Sequence, residues 1–99
     1  MTIDKKLENG SLTLALEGRL DTSTSPRLQD VLVPAFDEAK EVTLDFAKLA
    51  YISSAGLRVI LMGQKTAQAK EASMKIRNVS DEIMEVFEMT GFLDILTIV

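Results

Sequence analysis

The 99-residue sequence contains neither cysteine nor histidine. Without cysteine, the chain has no disulfide, no thiolate metal site and no cysteine nucleophile. Without histidine, it lacks the general base of a Ser-His-Asp hydrolase, the ligands of a HExxH metalloprotease and the acceptor of a phosphohistidine carrier. These two absences exclude many common catalytic classes, and we expect neither a metal nor another cofactor.

Basic clusters and long apolar runs are also missing. The chain has 11 basic and 15 acidic residues and a formal net charge of −4, so nothing favours direct binding to nucleic acid. No apolar run approaches the ~20 residues that a helix needs to span a bilayer. Residues 1–5 form neither a signal peptide nor a lipidation motif. These features predict a cytoplasmic protein with no membrane insertion.

The composition that remains is typical of one globular domain. Apolar residues make up 46% of the chain and charged residues 26%, which is unlike a disordered protein. A chain of about 100 residues is close to the usual size of a single domain. We therefore predict one domain, spanning residues 1–99, with a modest core.

Alternating apolar residues predict about five strands. Asn9-Gly10 separates the first two, and this dipeptide suits a tight hairpin because both positions tolerate positive φ. The segment Gly18-Arg19-Leu20-Asp21 is expected to break the second strand. The strands are predicted near Ile3–Leu7, Leu12–Leu16, Val42–Phe46, Met74–Val79 and Asp94–Val99.

Three helices are predicted between the strands. Pro34 lies inside the first and cannot donate its backbone bond, so we expect a kink or a split there, which gives three to four helices in all. The helices are predicted from Pro26 after the Thr22–Ser25 loop, from Ala55 to about Lys70, and from the cap at Ser80 to the stop at Thr90-Gly91.

The order of these elements predicts an α/β fold with a mixed, mostly parallel sheet. After the N-terminal hairpin, strand and helix alternate, so strands two, three and four should be parallel. The carboxyl ends of parallel strands meet at one edge, where α/β proteins usually have their sites. Asp21 follows strand two and Ser53-Ser54 follow strand three, so these residues should be neighbours.

Ser53 and Ser54 lie at the predicted start of the second helix. A hydroxyl there can cap the helix and contribute ~1 kcal/mol, and residue type alone favours that role for Ser54. It can also accept a phosphoryl group, which the unpaired amides and the helix dipole would stabilise. Spacing does not decide which serine caps and which faces outward. Gly56 fits either a close backbone approach or an open surface.

Asp21 and the second helix each have two interpretations. Asp21 is either a turn residue that accepts backbone amide bonds or a group that orients a nearby hydroxyl. The Thr22–Ser25 segment is interpreted as loop and cap, with contacts at the rim of a partner as the second option. Apolar residues cover a wide arc of the helix, which indicates burial; the alternative is an exposed docking stripe beside Ser54.

The motifs of an enzyme are absent. A nucleophile elbow needs glycine two residues before its serine, and Ile52 occupies that place relative to Ser54. A phosphate-binding loop of the Walker type is missing. The early strands also lack the acidic cluster that would hold magnesium in a phospho-aspartate receiver. We therefore predict a protein that is not an enzyme.

Four segments together resemble the STAS domain of bacterial anti-sigma factor antagonists. The most specific is Tyr51-Ile52-Ser53-Ser54-Ala55-Gly56-Leu57, which follows Leu44-Asp45-Phe46. Gly18-Arg19-Leu20-Asp21 and Phe87-Glu88-Met89-Thr90-Gly91-Phe92 match in the same order. The resemblance covers essentially the whole chain and implies a single STAS domain.

This resemblance implies regulation of transcription by partner switching. Members bind an anti-sigma factor that is also an ATP-dependent serine kinase, which frees a sigma factor; the kinase inactivates the antagonist by phosphorylation, and a serine phosphatase restores it. The acceptor in the motif falls on Ser54, with Ser53 as the alternative, and many members have aspartate at the position of Ser53. The implied partner-binding residues are Asp21, Thr22, Ser23, Ser53, Ser54, Ala55, Gly56, Leu57 and Arg58. The alternative function is that of a STAS subunit in a membrane lipid-transport complex.

Overall fold

The computed structural model describes residues 1–99 and has four strands and three α-helices in one alternating series. The elements are β1 (Thr2–Glu8), β2 (Ser11–Leu20), α1 (Ser25–Glu38), β3 (Glu41–Ile52), α2 (Ser54–Ala69), β4 (Ser73–Arg77) and α3 (Asp81–Thr90), followed by a 3-10 turn at Phe92–Asp94. The predicted order of strands and helices is therefore confirmed up to the last segment.

One sheet contains the four strands in the order β1-β2-β3-β4. β1 and β2 are antiparallel, and Asn9 and Gly10 connect them with φ of 52° and 78°. These are the positive values that favour this dipeptide in a hairpin, which confirms the predicted turn. β2, β3 and β4 are parallel to one another, as the alternation of strand and helix predicted.

The core lies on one face of this sheet. Leu14, Leu44 and Ile76 are in register across β2, β3 and β4, and all three are fully buried. Their neighbours along each strand point to the opposite face, because successive side chains of a strand alternate. The buried residues of all three helices belong to the same apolar cluster. The helices therefore cover one face and leave the polar face of the sheet open.

The two central strands are longer than predicted. β2 continues through Gly18 to Leu20 rather than breaking, because Gly18 adopts a φ of 105° and the register shifts on either side of it. β3 continues past Phe46 to Ile52. Leu49 and Ile52 are buried, and the extension pairs with the last residues of β2, so burial and pairing both stabilise it.

Helix α1 is continuous across Pro34, so the predicted split is wrong. Leu28 and Leu32 before the proline and Phe36 after it are all buried. This packing stabilises the helix on both sides of the missing backbone bond. Pro26 is the second helical residue rather than the first.

The C-terminal segment does not form the predicted fifth strand. After α3 the chain makes the 3-10 turn, and Ile98 alone forms a parallel bridge with Ile76. The amide of Ile76 donates to the carbonyl oxygen of Thr97, and the amide of Val99 donates to that of Ile76, both at 2.9 Å. The sheet thus has four full strands. None of the helices has the length and apolar character that crossing a bilayer requires.

Candidate functional site

The ends of β2 and β3 meet at one corner of the sheet. Leu20 and Ile52 are partners at the last position of this strand pair. Directly after them, the amide of Ser53 donates to the carbonyl oxygen of Leu20 at 2.9 Å. The segments that begin at Asp21 and Ser53 therefore start side by side, which confirms the prediction that they are neighbours.

The two serines at this corner have different structural roles. Ser53 is the N-cap of α2, and its Oγ accepts a hydrogen bond from the Gly56 amide at 3.3 Å. Ser54 is the first helical residue; its side chain is exposed and makes no hydrogen bond within the molecule. The interpretation of Ser54 as the cap is therefore wrong. The exposed hydroxyl belongs to Ser54 and the capping hydroxyl to Ser53.

Replacing Ser53 by alanine is expected to lower the free energy of unfolding by about 1 kcal/mol, because the Gly56 amide loses its cap. Urea denaturation measures this change. Ser53→Asp should retain most of the stability, since an aspartate oxygen can accept the same bond. Ser54→Ala is the matched control and should change stability by less than about 0.5 kcal/mol. A larger loss from Ser54→Ala than from Ser53→Ala would contradict the cap assignment.

Gly56 and Leu57 lie beneath the surface of this corner. Both are buried, and a Cβ atom added at Gly56 would lie 2.7 Å from Cγ of Leu20 and 3.0 Å from Cγ1 of Ile52. Of the two interpretations of Gly56, the close approach is therefore confirmed. It brings the first turn of α2 against the ends of β2 and β3. The side chain of Leu57 belongs to the core and is not available to a partner.

Gly56→Ala is expected to destabilise the protein by about 1–3 kcal/mol, the usual cost of overpacking a core. The clash is with a branch point of Leu20 and not with a free side-chain end, so it is not easily relieved. Leu20→Ala provides the control: in that background the same glycine substitution should cost less, since contacting positions couple. Equal costs in the two backgrounds, measured by urea denaturation, would refute the close approach as the cause.

Asp21 organises the loop between β2 and α1. Its Oδ1 accepts hydrogen bonds from the Ser23 amide at 3.0 Å, the Ser23 hydroxyl at 2.8 Å and the Thr24 amide at 3.2 Å. The hydrogen bond from the Ser23 side chain is the main cause that keeps the pKa of Asp21 below its usual value. Burial is the second effect and acts in the opposite direction, while the remaining bonds from Thr24 and Ser23 lower the pKa further. Asp21 is thus a turn residue that carries a negative charge at neutral pH, beside the exposed Thr22 and Ser23.

Arg19 and Tyr51 are neighbours of this corner that sequence reasoning missed. They are paired across β2 and β3, and the guanidinium carbon of Arg19 lies 4.1 Å from the centroid of the Tyr51 ring. The Nε of Arg19 is also 3.9 Å from Oδ2 of Asp21. The Tyr51 side chain remains 40% exposed. Only the strand register could have indicated this contact, because a β3 that extends to Ile52 brings residue 51 opposite residue 19.

Helix α2 continues the surface away from Ser54. Arg58 lies one turn further on and is exposed, and Met62, one turn beyond it, is 39% exposed. A shallow groove of about 430 Å³ runs along this side; its lining residues are Arg58, Leu61, Met62, Lys65, Thr66 and Ala69. The helix therefore buries most of its apolar arc, including Leu57, Val59 and Ile60, and leaves an exposed stripe beside Ser54. A docking role for that stripe stays a prediction.

The predicted partner-binding residues divide into three groups. Thr22, Ser23, Ser54 and Arg58 are exposed, whereas Asp21, Ser53 and Ala55 are half-buried. Gly56 and Leu57 are buried. The corner thus presents hydroxyl groups, an aspartate and an arginine around the start of one helix.

Nearly the whole chain matches one family model. The family model described as "Mlab, STAS domain" matches residues 3–97. The chain belongs to the STAS domain family. The STAS fold expected from the motifs of the sequence is therefore confirmed.

Relatives of this STAS domain include anti-sigma factor antagonists. BtrV of Bordetella bronchiseptica is 33% identical over 99 residues, a match that covers 99% of this chain and 84% of BtrV. The anti-sigma-B factor antagonist of Bacillus subtilis is 26% identical over 98 residues, covering 99% of this chain and 90% of that protein. The solved structure of Bacillus SpoIIAA in its phosphorylated form has the same fold, with a TM-score of 0.78 at 16% identity, covering 99% of this chain and 91% of that one.

Proposed function

We propose that this STAS domain is an anti-sigma factor antagonist that binds an anti-sigma factor with serine kinase activity and so frees a sigma factor for transcription. The names of the curated relatives support this function over a subunit of a lipid-transport complex. The observation that carries the proposal is the exposed, unbonded hydroxyl of Ser54 at the start of α2. In this function the protein acts in the cytoplasm by binding, and no catalytic residue is assigned.

The proposed switch is phosphorylation of Ser54. The first amides of a helix have no intrahelical acceptors, and the helix dipole stabilises an anion at this end. Arg58 lies four residues later, where side chains of one helix face are neighbours. The fold should therefore tolerate a phosphoryl group at Ser54. The partner should not, because the ~−1.5 to −2 charge would have to be desolvated beside Asp21 in the interface.

Ser53 is the weaker candidate for phosphorylation. Its oxygen accepts the bond from the Gly56 amide, and the residue is half-buried. Esterifying this oxygen would weaken the cap that α2 depends on. The proposed acceptor is therefore Ser54, while Ser53 supplies the cap that an aspartate would supply at the same position.

A kinase assay with phosphosite mapping tests the proposal. The protein is incubated with ATP and the anti-sigma kinase encoded nearest to its gene, and peptides are mapped by mass spectrometry. We expect one phosphate on Ser54, no modification of Ser54→Ala, and normal modification of Ser53→Ala. A cognate serine phosphatase should remove the phosphate. Binding to a transporter ATPase or permease, with no kinase modifying either serine, would instead favour the lipid-transport function.

A further inference from the structure

Charged residues are segregated between the second and third helices. Residues 78–99 contain five of the 15 acidic residues and none of the 11 basic ones. Conversely, α2 contains Arg58 and Lys65 and no acidic residue. None of the six ion pairs in the molecule involves these two basic residues or the acidic residues of α3. Both sets of charges are therefore without partners inside one molecule.

The outer side of α3 carries both acidic and methionine side chains. Ile83 and Phe87 are its only buried residues and Val86 packs partly against the core, whereas the four acidic residues of the helix are exposed. An open groove of about 720 Å³ lies along this side, lined by Asp81, Met84, Glu85, Glu88 and Met89. The Met89 side chain is 80% exposed. We call this set the acidic groove.

The outer side of α2 has the opposite charge and the same spacing. Arg58 and Lys65 are seven residues apart, with Leu61 and Met62 between them. Asp81 and Glu88 are also seven residues apart, with Met84 between them. At 1.5 Å per residue, each pair of charges spans about 10 Å along its helix. Two such helices laid side by side would pair both charges and bring methionine and leucine side chains together.

We propose that the basic stripe of α2, formed by Arg58, Leu61, Met62 and Lys65, docks into the acidic groove of a second copy of this chain. The complementary charge and equal spacing of the two surfaces are the reason to identify the partner as a second copy. Each copy carries both surfaces, so two copies can make the contact twice around a two-fold axis, or many copies can repeat it head-to-tail. Two short helices bury less than the ~1,200 Å² of a stable complex, so the association is weak and depends on concentration. This self-association goes beyond the proposed function.

The same stripe lies beside Ser54, and this has a consequence that rests on the proposed function. A kinase that covers the start of α2 and a second copy that covers Arg58 cannot bind together. Self-association at high concentration would then reduce the fraction of antagonist that is free to bind the kinase. Binding of the kinase would dissociate the assemblies.

Sedimentation of the purified protein tests the self-association. Concentrations up to about 1 mM are needed, because they populate contacts whose Kd is near that value. We expect the average mass to rise with concentration above that of the monomer, and to fall when about 1 M salt shortens the Debye length to about 3 Å. Asp81→Lys/Glu88→Lys and Arg58→Glu/Lys65→Glu should each weaken association at least about tenfold, since each places like charges opposite one another. A wild-type protein that stays monomeric throughout this range would overturn the proposal.

Mixing the two double variants provides the decisive comparison. Their formal net charges are 0 and −8, obtained by adding four to and subtracting four from −4, so no overall attraction favours the mixture. In the mixture, Arg58 and Lys65 of the first variant nevertheless meet Asp81 and Glu88 of the second, so association should return. Asp30→Lys/Glu71→Lys is the matched control for the α3 variant, because its formal net charge is also 0. Both positions are exposed and lie outside α2 and α3, so this control should associate like the wild type. A mixture that stays monomeric, or a control that dissociates, would refute the contact between α2 of one copy and α3 of another.

Discussion

Replacing Ser54 by aspartate is expected to weaken binding to the anti-sigma kinase by about 30-fold or more, which corresponds to about 2 kcal/mol. The added carboxylate would have to be desolvated in the interface, close to the negative charge of Asp21. Stability should not fall, because an acidic group at the first residue of a helix interacts favourably with the dipole. Calorimetry gives the affinity, and urea denaturation gives the free energy of unfolding.

Ser54→Asn is the matched control for this prediction. Asparagine has nearly the shape of aspartate but no charge, so it should retain much more of the affinity. If both variants bind equally weakly, the steric demand of the larger side chain, and not its charge, limits binding. If Ser54→Asp binds as well as the wild type while remaining folded, charge at residue 54 does not control the interface, and the proposed switch fails.

The turn at Asn9-Gly10 and both ends of α3 were well predicted from sequence, because they depend on neighbouring residues, whereas the cap of α2 was assigned to the wrong serine and α1 has no side-chain cap. Asn9-Gly10 forms the expected hairpin with two positive φ values. Ser80 caps α3 by accepting a bond from the Ile83 amide at 3.2 Å, and Gly91 ends the helix in the left-handed conformation. Each of these signals requires only a few adjacent residues, so no knowledge of the tertiary structure was needed.

The ends of the strands depended on tertiary contacts and were predicted poorly. β3 extends to Ile52 because Leu20 of β2, which lies far earlier in the chain, is its partner past the irregularity at Gly18. The C-terminal residues are apolar and rich in β-branched side chains, yet only Ile98 reaches the sheet. Strand propensity gives no information on whether an edge is within reach.

The candidate site was predicted in place but not in detail. The parallel order of the strands was sufficient to bring Asp21 next to the serines. Which serine caps depends on where α2 begins, and a shift of one residue exchanges the two roles. The contact between Arg19 and Tyr51 needed the register of two extended strands. Local signals therefore located the corner, and register determined which side chains compose it.

Phe87→Ala is expected to lower the free energy of unfolding by about 3–5 kcal/mol, the usual cost of removing a buried phenylalanine. Phe87 is fully buried, and its ring centroid lies 6.3 Å from that of Phe46 and 6.5 Å from that of Phe92. Only Ile83 and Phe87 of α3 are buried, so few other contacts can compensate. For a domain whose total stability is about 5–15 kcal/mol, this loss is large. Urea denaturation measures it.

Two other substitutions test whether the loss arises from the cavity at the centre of this aromatic cluster. Phe87→Leu keeps most of the buried volume and should cost clearly less than Phe87→Ala. Phe92→Ala should also cost less, since Phe92 is only partly buried. No residue of the Ser54 corner belongs to this aromatic cluster, so the folded fraction of Phe87→Ala should still be phosphorylated at Ser54. If Phe87→Ala costs less than about 1 kcal/mol, α3 does not depend on this residue for its attachment to the sheet.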